Sequence, residues 1–161
     1  GFTQDEINTI AVPKIPDRLA LLNNGELAAA MLPDPLTFLA IQQGAVNVLD
    51  DSTHPEYGYS TISFRKEVID QHPEAITAFL AALEEAVVMI NQDPTKWNSL
   101  LTEQKLVPEP LIGSYQINAY PTASVPSQEQ WQDVLNWAKD KGLLDEDLPY
   151  NKSINPGFLP K

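Results

Sequence analysis

The stretch Leu27–Asp51, LAAAMLPDPLTFLAIQQGAVNVLDD, decides how the chain is read. Its first six residues, Leu27–Leu32, make a continuous apolar run, the pattern of a strand buried on both faces. Pro33, Asp34 and Pro35 interrupt it, and Leu36, Phe38, Leu39 and Ile41 then recur at helical spacing. Asp34 suits an N-cap, whose oxygen accepts from the first free N–H groups, and Pro35 suits the first helical position, which needs no donor. Gly44 closes that helix, and AVNVLDD (Ala45–Asp51) reads as another strand. Upstream, the β-branched INTIAV (Ile7–Val12) stops at Pro13 and is a further strand signal. Between them, IPDRLALLNNG (Ile15–Gly25) offers Asp17 as a cap, Leu19, Leu21 and Leu22 as a stripe, and Gly25 as a C′ stop. Strand, helix, strand, helix, strand at this spacing predicts a parallel α/β arrangement over residues 1–51.

The character changes behind it. STHPEYG (Ser52–Gly58) reads as loop and YSTISF (Tyr59–Phe64) as a strand. His72-Pro73 opens a long helix with Ile76, Phe79, Leu80, Leu83, Val87 and Ile90 on one face. Asp93-Pro94 restarts a helix carrying Trp97, Leu100 and Leu101, and Pro108–Tyr115 suggests a short one. Ser127 with Gln130 is a capping-box signature before Trp131, Val134, Leu135 and Ala138, with Gly142 as the stop. The Pro- and Asn-rich tail from Asp145 should run over a surface. The chain thus reads as α/β in front and helical behind. Three short strands with nothing paired to their edge imply a portion of a larger α/β protein.

At 161 residues, with 43% hydrophobic and 20% charged residues, the chain is long enough for a core and reads as globular. Asp and Glu total 22 against 10 Lys and Arg, a net charge of −12. A nucleic-acid partner is disfavoured, because phosphate contacts need clustered cations. Zero cysteines exclude disulfides, thiolate metal sites and a Cys nucleophile. Asp50, Asp51, His54 and Glu56 are oxygen and imidazole donors, but they lack EF-hand spacing or paired histidines, so the reading is an acidic loop without metal. No Gly-rich phosphate loop and no G-x-S-x-G elbow is present, and the two histidines have no nucleophile to serve. No catalytic residue, cofactor or metal is expected.

Asn24-Gly25-Glu26-Leu27-Ala28-Ala29, then Pro33-Asp34-Pro35, then Gly44-Ala45-Val46-Asn47-Val48-Leu49-Asp50 resemble, in order and spacing, the second lobe of periplasmic binding proteins of ABC importers. The branch is the one that handles nitrate, taurine, alkanesulfonates and thiamine-precursor pyrimidines. Ala28 stands where that pattern has Asp, and Asp34 where Glu is commoner. Tyr59–Pro94 is similar to the segment that follows in the family, and GLLDEDLPYNKSINPGFLP to its C-terminal tail. The resemblance implies a type 2 periplasmic-binding fold, with residues 1–56 in lobe two. Residues 57–161 would form the hinge crossover and the helices packing on lobe one. It also implies that an N-terminal half lies outside this sequence, and that this half or a dimer partner covers the apolar helix faces. The implied protein is not an enzyme. It is a periplasmic or extracellular solute-binding component, lipid-anchored in some members, that delivers a small polar molecule to ABC permease subunits. Two alternatives stand beside it: a pyrimidine-synthesis enzyme of the same fold, disfavoured by the lack of Cys, and a helical interaction module without ligand.

Open α/β sheets bind ligands beyond the carboxyl ends of their strands. That rule and the resemblance make Met31 and Asp34 candidate ligand-binding residues, with Asp34 accepting from an amine or hydroxyl; equally, Asp34 serves only as a cap. Tyr57, Tyr59 and Ser60, with Thr61, stand at the implied crossover, as ligand contacts or as hinge packing. Arg18 is read as a solvated helix-start residue before it is read as an anion binder. Trp97, Trp131 and Trp137 read as packing rather than a ligand cage. Ligand identity stays open, with Asp34 leaning toward an N–H donor such as an aminopyrimidine.

Overall fold

A computed structural model describes residues 1–54, 58 and 60–161, and it divides into two units. The first comprises Gly1–Val48 and Trp97–Gln116, the second Leu49–Lys96 and Ile117–Lys161.

In the first unit the helices fall where the apolar spacing put them. Helix α1 spans Ile15–Asn23 with proline in its first turn, and α2 spans Leu36–Gln42. Each ends on a glycine with positive φ, Gly25 at 74° and Gly44 at 99°, a conformation that costs a side chain but not glycine. Leu19 of α1 and Leu39 and Ala40 of α2 are buried together with Val107 and Leu111. Leu111 lies in a 3₁₀ turn, Glu109–Leu111, where the sequence suggested a short helix over 108–115. Helix α5 (Asn98–Glu103) contributes Leu101 to the rim of this cluster, and Tyr115 meets Phe38 edge-on with ring centroids 6.1 Å apart.

The α/β reading is overturned here: among the described residues there is no β-strand, and therefore no parallel-sheet lobe. Ile7–Val12, Leu27–Leu32 and Ala45–Asp51 have strand-like patterns, but a strand exists only through a ladder of hydrogen bonds to a neighbour. None of the three finds such a neighbour. Leu27–Leu32 is not buried on both faces, since Met31 is 83% exposed and only Leu32 packs on the core. Val46, Val48 and Leu49 are 82%, 91% and 88% exposed. Core formation in this unit falls to helix faces and turns instead.

The second unit begins with a 3₁₀ turn at Asp51–Thr53, capped by the Asp50 carboxylate, which accepts from the Ser52 N–H at 3.0 Å. The strand expected at Tyr59–Phe64 starts outside the described residues, and Ser60–Phe64 form none. A helix that the sequence reading passed over follows at once, α3 (Lys66–Gln71), with an i,i+4 ion pair between Lys66 and Asp70. The long helix α4 (Pro73–Gln92) has His72 as its N-cap residue and Pro73 in its first turn, as expected, and buries Ile76. Phe79 of α4 packs edge-on against Phe64 at 5.9 Å. Asp93 then caps the turn Pro94–Trp97 by accepting from the Thr95 N–H and hydroxyl at 3.1 and 2.6 Å. Further on, α6 (Gln128–Asp140) carries the complete capping box: Ser127 Oγ accepts from Gln130 N–H at 3.1 Å and Gln130 Oε1 accepts from Ser127 N–H at 2.7 Å. The tail is tied down more firmly than its composition suggests. Trp131 Nε1 donates to the Leu148 carbonyl at 2.8 Å, and Tyr150, opening the short α7 (Tyr150–Ser153), donates its hydroxyl to Pro126 O at 2.8 Å.

Candidate functional site

The Pro33–Pro35 turn is fixed by its backbone. Pro33 O accepts from Leu36 N–H at 3.0 Å and from Thr37 N–H at 3.2 Å, and Pro35 O accepts from Leu39 N–H at 3.1 Å. The Thr37 hydroxyl donates to Leu32 O, and the Asp34–Pro35 peptide is cis. Arg18 adds a tie from outside the turn: its Nη1 donates to Met31 O at 3.1 Å while its Nε donates to Val12 O at 2.7 Å. Carbonyls 31, 32, 33 and 35 are thus all engaged.

This geometry corrects the capping assignment. The N-cap of α2 is Pro35, one residue later than expected, and it makes no side-chain cap. The N–H groups that Asp34 was expected to satisfy, those of Leu36 and Thr37, are already taken by Pro33 O. The Asp34 side chain is exposed, and among the described residues no donor reaches its carboxylate. What remains is an acceptor standing on a rigid turn. A carboxylate so placed accepts hydrogen bonds from an amine, an amidine-like edge or a hydroxyl at little conformational cost.

Met31 lies three residues before Asp34, its side chain exposed and its carbonyl held by Arg18. Ser60 is exposed and belongs to the second unit. Tyr57 and Tyr59 lie outside the described residues. The structure therefore brings Met31 and Asp34 together on one turn. The sequence reading of Arg18 as a solvated residue needs revision, since it is half-buried and makes two hydrogen bonds to main-chain carbonyls. The visible signal was its place in the first turn of a helix that follows a proline, which says where the residue is but not which carbonyls it meets.

Two open grooves occur in the second unit. One, of about 460 Å³, lies between α6 and the tail and includes Trp131, Asp147 and Tyr150. The other, of about 690 Å³, is bordered by Phe64, Lys66, Asp70 and residues 150–156. Their volumes suit small ligands, but a binding site needs convergent polar groups left for the ligand. Here the indole N–H is used on Leu148, the tyrosine hydroxyl on Pro126, Asp147 on Lys139, and Lys66 on Asp70. Residues of the tail line both grooves. Among the described residues no group of three or more His, Asp or Glu is placed to hold a metal ion. No described helix is long and apolar enough to cross a membrane.

A model of the NMT1-like family matches residues 2–100, which contain α1, α2, the Pro33–Pro35 turn and α4. No curated protein and no solved structure gives a significant match.

Proposed function

The chain belongs to the NMT1-like family, and on that premise we propose that it is the solute-binding component of an ABC importer. In this reading it captures a small polar organic molecule and passes it, unchanged, to permease subunits outside the cytoplasm. Met31 and Asp34 contact the ligand from the turn ahead of α2. The observation that carries the reading beyond the family match is the Asp34 carboxylate, exposed and without an internal donor, on a turn held through the carbonyls of Met31, Leu32, Pro33 and Pro35.

An acceptor of this kind favours a ligand that brings N–H donors. Nitrate and an amine-free alkanesulfonate bring only acceptors and negative charge, so a bare carboxylate repels them, while taurine pairs one ammonium donor with a sulfonate that the carboxylate repels. An aminopyrimidine of the thiamine-precursor class presents an exocyclic amine and fits better. Charge-assisted bonds of this type contribute about 1.5–3 kcal/mol, roughly ten- to hundredfold in affinity.

Isothermal titration of the chain with an aminopyrimidine, taurine and nitrate tests the reading. The aminopyrimidine should bind tightest, and Asp34→Ala should weaken it by at least about tenfold. Equal affinity of Asp34→Ala and the parent protein would remove Asp34 from the site.

A further inference from the structure

We propose that Arg18 is a positioning residue for the ligand-contacting turn. Its guanidinium holds Val12 and Met31 at a fixed separation and thereby sets where Asp34 stands; the link to ligand rests on the capture reading above.

Two observations carry this. Arg18 reaches back six residues to Val12 O at 2.7 Å and forward thirteen to Met31 O at 3.1 Å. It therefore ties together the ends of two segments that no strand pairing joins. Second, it makes no ion pair among the described residues, although the chain carries a net charge of −12. In place of a carboxylate, which a surface arginine ordinarily finds in so acidic a chain, it is committed to two main-chain carbonyls.

The chemistry suits arginine alone. The guanidinium is planar and projects Nε–H and Nη–H in fixed, divergent directions, so one side chain can bridge two acceptors with little loss of freedom per bond. A lysine ammonium is a single point on a flexible stem and does not hold two carbonyls apart in the same way. Met31 needs such a tie because its own side chain is 83% exposed and anchors nothing. The next residue, Leu32, rests on the core of the unit, so the Arg18 bond to Met31 O and the Leu32 contact bracket the entry to the turn.

The test is a comparison of Arg18→Lys and Arg18→Met with the parent chain by ¹H–¹⁵N NMR and by titration of an aminopyrimidine, taurine and nitrate. Bridging predicts that the two variants behave alike. The amide signals of Val12, Lys14, Met31, Leu32 and Asp34 move together, those of Leu111–Tyr115 stay in place, and a slowly exchanging arginine Nε–H signal is lost. Affinity for whichever probe the parent binds falls about tenfold in both variants. A role through charge alone would be restored by lysine, and full recovery in Arg18→Lys overturns the proposal. So do shifts confined to Asp17–Leu19 with Asp34 unmoved. If the parent chain binds none of the three probes, the capture reading fails, while the pattern of amide shifts still decides whether Arg18 bridges.

Discussion

Leu111→Ala probes the packing on which the first unit rests. Leu111 is 0% exposed and is enclosed by Leu19, Leu39, Ala40 and Val107. Truncation to alanine removes three carbons, worth about 2.4 kcal/mol at ~0.8 kcal/mol per buried methylene. The cavity left behind adds to this, because its lining comes from two helices and a turn that cannot all close in, and the total is about 3 kcal/mol. At ~4–8 °C per kcal/mol for a unit of about 60–100 residues, the melting transition of the first unit should fall by about 12–24 °C. Urea denaturation followed by circular dichroism, with calorimetry to separate the two units, reads the effect. Leu106→Ala is the internal control: five residues away and 59% exposed, it should cost no more than about 0.5 kcal/mol. A Leu111→Ala loss below ~1 kcal/mol, or an equal loss from Leu106→Ala, would show that the helix–turn cluster is not the core of this unit.

Two further perturbations address the second unit. Ser127→Ala removes the hydroxyl that accepts from Gln130 N–H, and should cost about 1 kcal/mol by denaturant titration, whereas Ser127→Asp, which keeps an acceptor, should cost little; equal losses would show that the cap is not the cause. The Asp93 carboxyl is held below its ordinary range first by the Thr95 hydroxyl, so its contribution to stability is present above the unfolded-state pKa and fades as pH falls through the lower folded-state value. Thr95→Val should move the Asp93 carboxyl midpoint upward in a ¹³C titration, and an unmoved midpoint would refute that assignment.

Some helix ends were legible in the sequence, although Asp17, expected as the cap of α1, lies inside that helix, whose N-cap residue is Lys14. The stop at Gly25, the start at Pro73 and the Ser127–Gln130 box depend on residues within one turn of each other, and all three stand as read. The strands were not legible, because their evidence was one-sided. INTIAV, LAAAML and AVNVLDD state a preference for extended backbone, while a ladder needs a partner that local pattern does not supply. Helix α3 was missed because six residues with only Val68 and Ile69 apolar give too little periodicity, and its Lys66–Asp70 pair is visible only once a helix is assumed. At the candidate site, the interest of Pro33-Asp34-Pro35 was readable, but the capping role was off by one position. Pro33 O took the donors that Asp34 was expected to take, a competition that residue preferences cannot rank. Arg18 was seen and underrated for a similar reason: its two acceptors lie six and thirteen residues away.

Capture without turnover is most directly tested by melting the chain in the presence of an aminopyrimidine and then recovering the ligand for mass spectrometry. Ligand at a hundredfold excess over its dissociation constant stabilises by about 2.7 kcal/mol, so the transition should rise by roughly 5–11 °C. The ligand should be recovered with its mass unchanged. A transition that no member of the aminopyrimidine, sulfonate or nitrate classes raises, or a ligand returned chemically altered, would contradict the account.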